Sequence, residues 1–287
     1  MMRALARQAG TRLMLPALLV LFTSVSAASE RDFVTSDGVR LHYREAGAGR
    51  PIVFVPGWTM PGDIWRAQLT HFARTHRVIA FDPRGQGNSA VPRDGYTVER
   101  RAQDIKELLD HIGAEPVVLV GWSLGVLESL AYVGANGTAR LAALVLVDNS
   151  IGEEPPPVSD PTFLARLQRD RVKTVEGFVR GMYRQPQSDA YLRGILDASL
   201  RTPLEAAVAL LRYPYPRERW RELVYQIDRP LLYAVSARFK GQAANLKKNR
   251  PEAWIEVFDH AGHALFVDEA ARFNDVLERF LAAAAAR

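Results

Sequence analysis

The chain has 287 residues, of which 48% are hydrophobic, and its formal charge is +5. This length and hydrophobic content are enough for one substantial core, so we expect a single domain with room for an insertion. The sequence contains no cysteine, which excludes disulfide bonds, thiolate metal sites and a cysteine nucleophile.

Residues 1–27 have the pattern of a signal peptide. Arg3, Arg7 and Arg12 precede an apolar run at 13–22, and small residues lead up to Ala27. The run is shorter than the roughly 20 residues that a membrane span needs, although an uncleaved N-terminal anchor helix is the alternative. We therefore expect an exported protein, periplasmic or secreted, with no stable membrane insertion after cleavage.

Cleavage would also change the charge of the chain. Losing the three arginines of residues 1–27 would lower the formal charge from +5 to +2. A chain with so little positive charge has no electrostatic reason to bind nucleic acid, so we expect no nucleic-acid partner.

Short apolar runs alternate with helical patterns over the rest of the chain. A hairpin comes first, with strands at 33–34 and 41–43 around a glycine-containing turn. The later runs are 52–55, 78–81, 117–120, 144–147, 231–235 and 255–258, and apolar residues at helical spacing mark 98–112 and 270–285. This alternation predicts an α/β fold with a mostly parallel sheet flanked by helices.

The alternation is interrupted between residues 150 and 228, where helical patterns continue without a strand-like run. Connections this long are commonly functional lids. We predict that 28–149 and 229–287 form the core and that 150–228 form a helical cap inserted before the penultimate strand. An insertion without a role at the pocket is the alternative.

A serine lies at a turn between a strand and a helix. Ser123 stands in Gly121-Trp122-Ser123-Leu124-Gly125, directly after the apolar run 117–120 and before a helical stretch. Glycines on both sides permit the tight turn that exposes a nucleophilic serine, and the helix N-terminus favours developing negative charge. We expect Ser123 to be a catalytic nucleophile rather than a serine that only caps a helix.

A serine hydroxyl needs a base to take its proton. His263 follows the last strand-like run, where a loop would return it to the edge of the sheet that carries Ser123. His260 is the local alternative, and the remaining histidines lie in the hairpin or beside helices, where surface or packing roles are expected.

Four motifs together resemble the landmarks of the α/β-hydrolase superfamily. They are Val55-Pro56-Gly57-Trp58, the stretch from Phe81 to Ser89, Gly121 to Gly125, and Gly262-His263. In arrangement they are similar to bacterial arylesterases of the cofactor-free haloperoxidase group. The resemblance covers nearly all of 31–287 and implies the α/β-hydrolase fold and serine hydrolase chemistry, with 82–89 serving mainly to shape a loop.

The resemblance also exposes a missing carboxylate. In the family the acid that orients the histidine usually follows the strand after the cap, but residues 232–240 contain no acid. Some members carry it one strand earlier, and Asp148 follows the run 144–147 there. We therefore predict Asp148 as the acid, with Glu153, Glu154, Asp259 or water as alternatives. Asp228 is expected to anchor the return of the chain from the cap, and Asp268 to start a helix.

An oxyanion hole and a substrate pocket complete the expected site, and only the role of Trp58 in the oxyanion hole is taken from the resemblance. The backbone N–H groups of Leu124 and Trp58 are expected to form the oxyanion hole, although Pro56 replaces the histidine usual in the family's turn. Under the cap, an apolar substrate pocket is expected. Its candidate residues are Trp58, Trp122, Phe178, Met182 and Tyr183, with Tyr213 a weaker candidate.

These expectations define a serine hydrolase that cleaves a carboxylic ester or related small-molecule acyl substrate through an acyl-enzyme. No metal-binding, dinucleotide or phosphate-loop motif occurs, so no metal or cofactor is expected. The empty acid position keeps one alternative open, a weakly catalytic or non-catalytic binding protein on a hydrolase scaffold. The oligomeric state is not predictable from these residues.

Overall fold

One eight-stranded sheet forms the centre of the computed structural model, which describes residues 28–113, 115–158 and 160–286. The strands are β1 (Ser29–Val34), β2 (Arg40–Ala46), β3 (Pro51–Val55), β4 (Arg77–Asp82), β5 (Val117–Trp122), β6 (Leu141–Val147), β7 (Leu231–Ser236) and β8 (Trp254–Phe258). Their order across the sheet is β1-β2-β4-β3-β5-β6-β7-β8. β2 pairs antiparallel with β1 and β4, and all other pairs are parallel.

Helices cover the sheet and fill its longest connection. They are α1 (Arg66–Phe72), α2 (Val98–Ile112), α3 (Leu124–Asn136), α4 (Phe163–Arg169), α5 (Arg171–Gly181), α6 (Asp189–Arg201), α7 (Leu204–Leu210), α8 (Arg217–Tyr225), α9 (Lys240–Asn249), α10 (Leu265–Asp268) and α11 (Ala270–Ala285). The predicted mostly parallel α/β sheet with flanking helices is confirmed, and both long helical patterns form helices over the predicted ranges.

The sheet is buried on both faces, which explains its apolar strands. In β3, Ile52 and Phe54 pack into the core on one face, and Val53 and Val55 pack into the core on the other. Successive side chains of a strand point to opposite faces, so a strand covered on both sides must be apolar at every position. The two cores hold the carboxyl ends of β3, β5, β6 and β7 in place.

Helices α4 to α8 all lie in the connection between β6 and β7, which we call the β6–β7 insertion (residues 150–228). It occupies the range for which the sequence predicts a cap. The predicted signal peptide, residues 1–27, lies outside the described residues. Within the described part of the chain, none of the helices combines the length and apolar character needed to cross a membrane.

A buried histidine connects the antiparallel hairpin to the parallel part of the sheet. The ring of His42 in β2 lies 2.8 Å from Asp82 through Nδ1 and 2.5 Å from Glu30 through Nε2. Its backbone N–H donates to Ser89 Oγ. Asp82 also accepts from the backbone N–H groups of Gly62 and Asn88. His42 thus belongs to a polar network that fixes the loop after β4.

Protonation of His42 should make the stability of the protein depend on pH. Burial alone lowers the pKa of His42, but Asp82 and Glu30 raise it more, so the folded-state pKa lies above the ordinary value. The protonated form therefore contributes stability that is fully present below about pH 6.5 and is lost as the pH rises through the raised pKa.

We expect the free energy of unfolding of the unaltered protein to fall more steeply with rising pH than that of the variant His42→Gln. Urea titrations between about pH 6 and pH 9 measure both slopes. His260→Gln, which removes an exposed histidine, is the control and should follow the unaltered protein. Parallel curves for His42→Gln and the unaltered protein would contradict this coupling.

Candidate active site

Ser123 sits in a strained turn between β5 and α3. Its backbone has φ 54° and ψ −121°, a left-handed conformation that costs a residue with a side chain about 1–3 kcal/mol. The turn is held by a hydrogen bond from the N–H of Ser123 to the carbonyl of Val147 and by one from Asn149 Nδ2 to the carbonyl of Ser123. Strain kept in place by surrounding contacts is typical of functional positions.

The glycines around Ser123 are required by close packing. A β-carbon at Gly121 would lie 2.3 Å from the carbonyl oxygen of Gly125, and one at Gly125 would lie 2.6 Å from that of Val55. A β-carbon at Gly57, in the loop after β3, would lie 2.9 Å from Cβ of Ser123. The backbone of that loop therefore passes directly against the serine.

Ser123, His263 and Asp148 form a continuous hydrogen-bonded chain. Ser123 Oγ lies 2.8 Å from His263 Nε2, and His263 Nδ1 lies 2.8 Å from Asp148 Oδ2. This network is consistent with a neutral imidazole that carries its proton on Nδ1 and accepts the Ser123 hydroxyl proton at Nε2. The structure thus brings together the three residues that the sequence singles out for catalysis.

Asp148 is held rigidly at the end of β6. Its side chain is fully buried, and its Oδ1 accepts the backbone N–H of Ser236 at 2.6 Å. Its own N–H donates to the carbonyl of Ala234. Burial, and next to it the charge of Asp148, raise the pKa of Tyr233 well above the ordinary value. The end of β7, where the resemblance implies an acid, here supplies a backbone donor to the carboxylate that follows β6.

None of the alternative acids contacts His263. Glu153 is buried and accepts from Tyr225 and Asn245, and Glu154 pairs with Arg217. The carboxylate of Asp259 is exposed and lies 3.4 Å from Lys240. His260, the alternative base, is exposed.

Asp228 and Asp268 bind other parts of the chain. Asp228 accepts from Thr138, as expected of a residue that anchors the return from the insertion. Asp268 does not start a helix, since it is the last residue of α10, and this part of the interpretation is wrong. Its carboxylate accepts the backbone N–H groups of Gly262 and Arg184, at 2.7 Å each, and so fastens the His263 loop to the insertion.

The two residues predicted to supply the oxyanion hole, Leu124 and Trp58, both lie close to Ser123 along the backbone that surrounds it. Leu124 is the first residue of α3, and the first N–H groups of a helix have no acceptor within it. Trp58 follows Gly57 in the loop that touches Ser123. Within the described ranges, neither N–H donates to another backbone group outside regular helices and strands. Both predicted donors thus lie beside the nucleophile candidate.

A buried polar network supports the loop that carries Trp58. Gln86 donates to the carbonyls of Gly57 and Met60, at 3.0 and 2.7 Å, and accepts from Arg101 at 3.0 Å. Arg101 is paired with Glu128 of α3 at 2.8 Å. The motif 82–89 therefore shapes a loop, as the resemblance implies, and it also reaches the loop beside Ser123. Sequence patterns gave no signal for this role of Gln86.

The same network reaches the insertion through Tyr213. Its hydroxyl donates to Glu128 at 2.9 Å. Burial and the neighbouring carboxylate keep the pKa of Tyr213 well above its ordinary value, so the hydroxyl stays protonated. Tyr213, a weaker candidate for the pocket, thus takes part in support of the loop.

A cavity of about 820 Å³ lies between α4, α5 and His263. Phe163, Phe178 and Met182 give it apolar walls, so two of the predicted pocket residues line it. Trp58 is buried behind it, edge-on to Phe163 and Phe178, and its Nε1 donates to the carbonyl of Ala207. Trp58 therefore supports the pocket wall and fixes the insertion.

The two other predicted pocket residues are placed differently. Tyr183 lines a smaller cavity of about 370 Å³, which also borders Asp148 and His263. Trp122 is fully buried and lines neither cavity; its Nε1 donates to the carbonyl of His263 at 2.8 Å. Trp122 therefore positions the histidine loop, which is a different role from the predicted contact with substrate.

A metal site needs several acidic or histidine side chains grouped around one point. In the part of the chain that the structure describes, no three or more such residues are grouped so that they could hold a metal ion.

Part of the chain is similar to a curated protein. Over an alignment of 114 residues, this chain is 42% identical to the non-heme chloroperoxidase CPO-A1 of Kitasatospora aureofaciens. The alignment covers 39% of this chain and 42% of that protein. The match thus spans less than half the length of this curated relative.

Solved structures match over nearly the whole chain. A Burkholderia cenocepacia protein, provisionally described as an aryl esterase, has a TM-score of 0.81 and 25% identity and covers 90% of this chain and 100% of its own. The esterase RhEst1 from Rhodococcus sp. ECU1013, at 24% identity, has a TM-score of 0.77 over 88% of this chain and 98% of its own. At 24% identity, the likeness to RhEst1 shows a shared fold and nothing more.

The family model described as the alpha/beta hydrolase fold matches residues 50–222. That range is more than half of the chain and includes the Ser123 turn, Asp148 and most of the insertion. The chain therefore belongs to the alpha/beta hydrolase family.

Proposed function

We propose that the protein is a serine hydrolase that cleaves a carboxylic ester or related acyl substrate through an acyl-enzyme. The observation that carries the proposal is the chain of 2.8 Å contacts from Ser123 through His263 to Asp148. The likeness to a provisional aryl esterase over nearly the whole chain supports the same chemistry.

Acylation follows from this geometry. Ser123 Oγ attacks the carbonyl carbon while His263 Nε2 takes the hydroxyl proton. The carbonyl oxygen becomes an oxyanion, to which the N–H groups of Leu124 and Trp58 donate. When the intermediate collapses, the bond to the leaving oxygen breaks, and the alcohol departs with the proton from His263. The serine is left as an ester of the acyl group.

Deacylation repeats the same steps with water as the nucleophile. His263 takes a proton from water, the hydroxyl attacks the acyl carbon, and the acid leaves as Ser123 Oγ regains a proton. Asp148 accepts from Nδ1 throughout, so it stabilises the imidazolium that forms in each half-reaction. Because Asp148 is buried and fixed by Ser236, the imidazole keeps one orientation.

We further propose that the β6–β7 insertion is a cap that shapes the acyl pocket. Met182 connects it to the catalytic loop, since its carbonyl accepts the N–H of Ala264 at 3.0 Å. Phe163 and Phe178 supply the apolar wall opposite His263.

Ser123→Ala should remove turnover of p-nitrophenyl esters by at least about 10⁴-fold, because the alcohol that forms the acyl-enzyme is lost. Fluorophosphonate labelling of the folded protein, followed by mass spectrometry, should locate the probe on Ser123. Ser129→Ala, which removes a buried hydroxyl that bonds only the carbonyl of Gly125, is the matched control and should remain labelled. A folded protein that reacts with neither probe nor esters would instead favour the non-catalytic binding protein.

Asp148→Asn should lower kcat by about 10³–10⁴-fold, because the amide cannot stabilise the imidazolium and disturbs its tautomer. Asp259→Asn is the control, since that carboxylate is exposed and pairs only with Lys240. Ester turnover near that of the unaltered enzyme in Asp148→Asn would show that another group serves His263, without affecting the assignment of Ser123.

We also propose that residues 1–27 direct export and are removed. When the full chain is expressed in a Gram-negative host, mass spectrometry of the periplasmic or secreted fraction should find a mature N-terminus at Ala28. Leu19→Arg interrupts the apolar run and should leave the precursor in the cytoplasm. An uncleaved chain in the membrane fraction would support the anchor helix instead.

A further inference from the structure

The cavity over His263 has a basic rim. Its lining includes Arg166, Arg169, Lys173 and Arg238 but only one acid, Asp170. After loss of residues 1–27 the whole chain would carry a formal charge of only +2. The positive charge is therefore concentrated at this opening, and a cleft lined by one sign of charge attracts ligands of the opposite sign.

Two of these charged groups already have partners. Arg166 pairs with Asp160 at 2.7 Å and lies over the ring of Phe163. Asp170 caps α5, where its carboxylate accepts the backbone N–H of Lys173. Among the ion pairs of the described residues, none involves Arg169, Lys173 or Arg238. These three cations have no carboxylate partner among the described residues, although the guanidinium of Arg238 lies over the ring of Phe239. Their charge can therefore act on an anionic ligand.

Arg238 has a particular position among them. It lies in the turn Ala237–Phe239 directly after β7, the place where the resemblance implies a catalytic acid. Because Asp148 supplies the acid from β6, this turn can carry a cation without disturbing His263. Arg238 borders both cavities that reach His263, and its Nη2 donates to the carbonyl of Val158 at 2.9 Å. That contact uses one of its five N–H donors and orients the guanidinium.

The cavity therefore combines apolar walls with a cationic mouth. Phe163, Phe178 and Met182 suit a hydrocarbon chain, whereas the rim suits an anion. Resting on the proposed ester hydrolysis, we propose that the substrate is an acyl compound with an anionic group several bonds from the scissile ester. Arg238, Arg169 and Lys173 bind that group at the mouth.

Paired esters test this directly. Mono-p-nitrophenyl adipate and p-nitrophenyl hexanoate have six-carbon acyl chains that differ in a terminal carboxylate. We expect kcat/KM to be higher for the adipate ester after correction for spontaneous hydrolysis. The advantage should shrink as NaCl is raised from about 20 mM to about 500 mM, because salt screens exposed charges.

Substitutions locate the anion site. Arg238→Gln, Arg169→Gln and Lys173→Gln should each lower the adipate-to-hexanoate ratio of kcat/KM by about two- to five-fold, the size of an exposed ion pair. The triple variant should remove the preference. Arg279→Gln, on α11 and paired with Asp275, removes one positive charge outside both cavities and should leave the ratio unchanged.

Binding separates this inference from the proposed reaction. Titration calorimetry of unaltered and triple-variant protein with adipate, inorganic phosphate and neutral adipamide measures anion recognition without turnover. We expect adipate to bind the unaltered protein only; equal binding of phosphate would broaden the ligand from carboxylates to anions in general. Hexanoate hydrolysis without adipate preference or adipate binding would overturn the inference and leave the esterase proposal intact. Adipate binding without labelling of Ser123 would support the anion site but overturn the esterase proposal, and with it the assignment of the bound anion to an ester substrate.

Discussion

The conformation of Ser123 depends on how closely three backbone segments approach one another. The left-handed turn holds only because Gly121, Gly125 and Gly57 let α3 and the loop after β3 come within contact distance. A side chain at Gly57 or Gly125 would push the loop after β3 away from the serine turn, and one at Gly121 would collide with the carbonyl of Gly125 in α3. The same close approach puts Trp58, which follows Gly57, and Leu124 next to the serine, so the proposed nucleophile and the proposed anion donors would depend on one packing arrangement.

The acid is tied to this arrangement through neighbouring strands. The N–H of Ser123 donates to the carbonyl of Val147, the last residue of β6. Asp148, the next residue, is bound to β7 twice: its N–H donates to the carbonyl of Ala234, and its carboxylate accepts the N–H of Ser236. Moving the carboxylate from β7 to β6 keeps it at the same edge of the sheet, because the carboxyl ends of parallel strands meet there. Since Asp148 reaches His263 Nδ1 from the end of β6, the turn after β7 that carries Arg238 does not have to supply a carboxylate.

Local patterns were enough to predict much of the sheet and the candidate site. The apolar runs at 52–55 and 117–120 identify strands because a sheet covered on both faces tolerates few polar residues, and the glycines around Ser123 mark its turn. The contacts of Gln86, Asp268 and Trp122 could not be predicted in this way. Each acts on backbone atoms distant in sequence, and a polar or aromatic residue in a loop gives no sign of which carbonyl or N–H it will meet. Asp148 lies between these cases: the resemblance suggested it, but only the fold shows how it is held.

The β6–β7 insertion contacts the core in two distinct ways. One part of it supports the loop of Trp58, and another part borders the cavity where a substrate would bind. Its later part is fastened through Tyr213 to Glu128, and from there through Arg101 and Gln86 to the loop of Trp58. A fully bonded buried network of this kind is rigid, because breaking one member leaves a buried polar group without its partner. Its earlier part, α4 and α5, instead borders the open cavity and carries the rim cations Arg169 and Lys173. Exposed side chains on that part can vary without altering the support of the oxyanion loop. The fold thus separates the residues that would select a substrate from those that would stabilise its reaction, although both belong to one insertion.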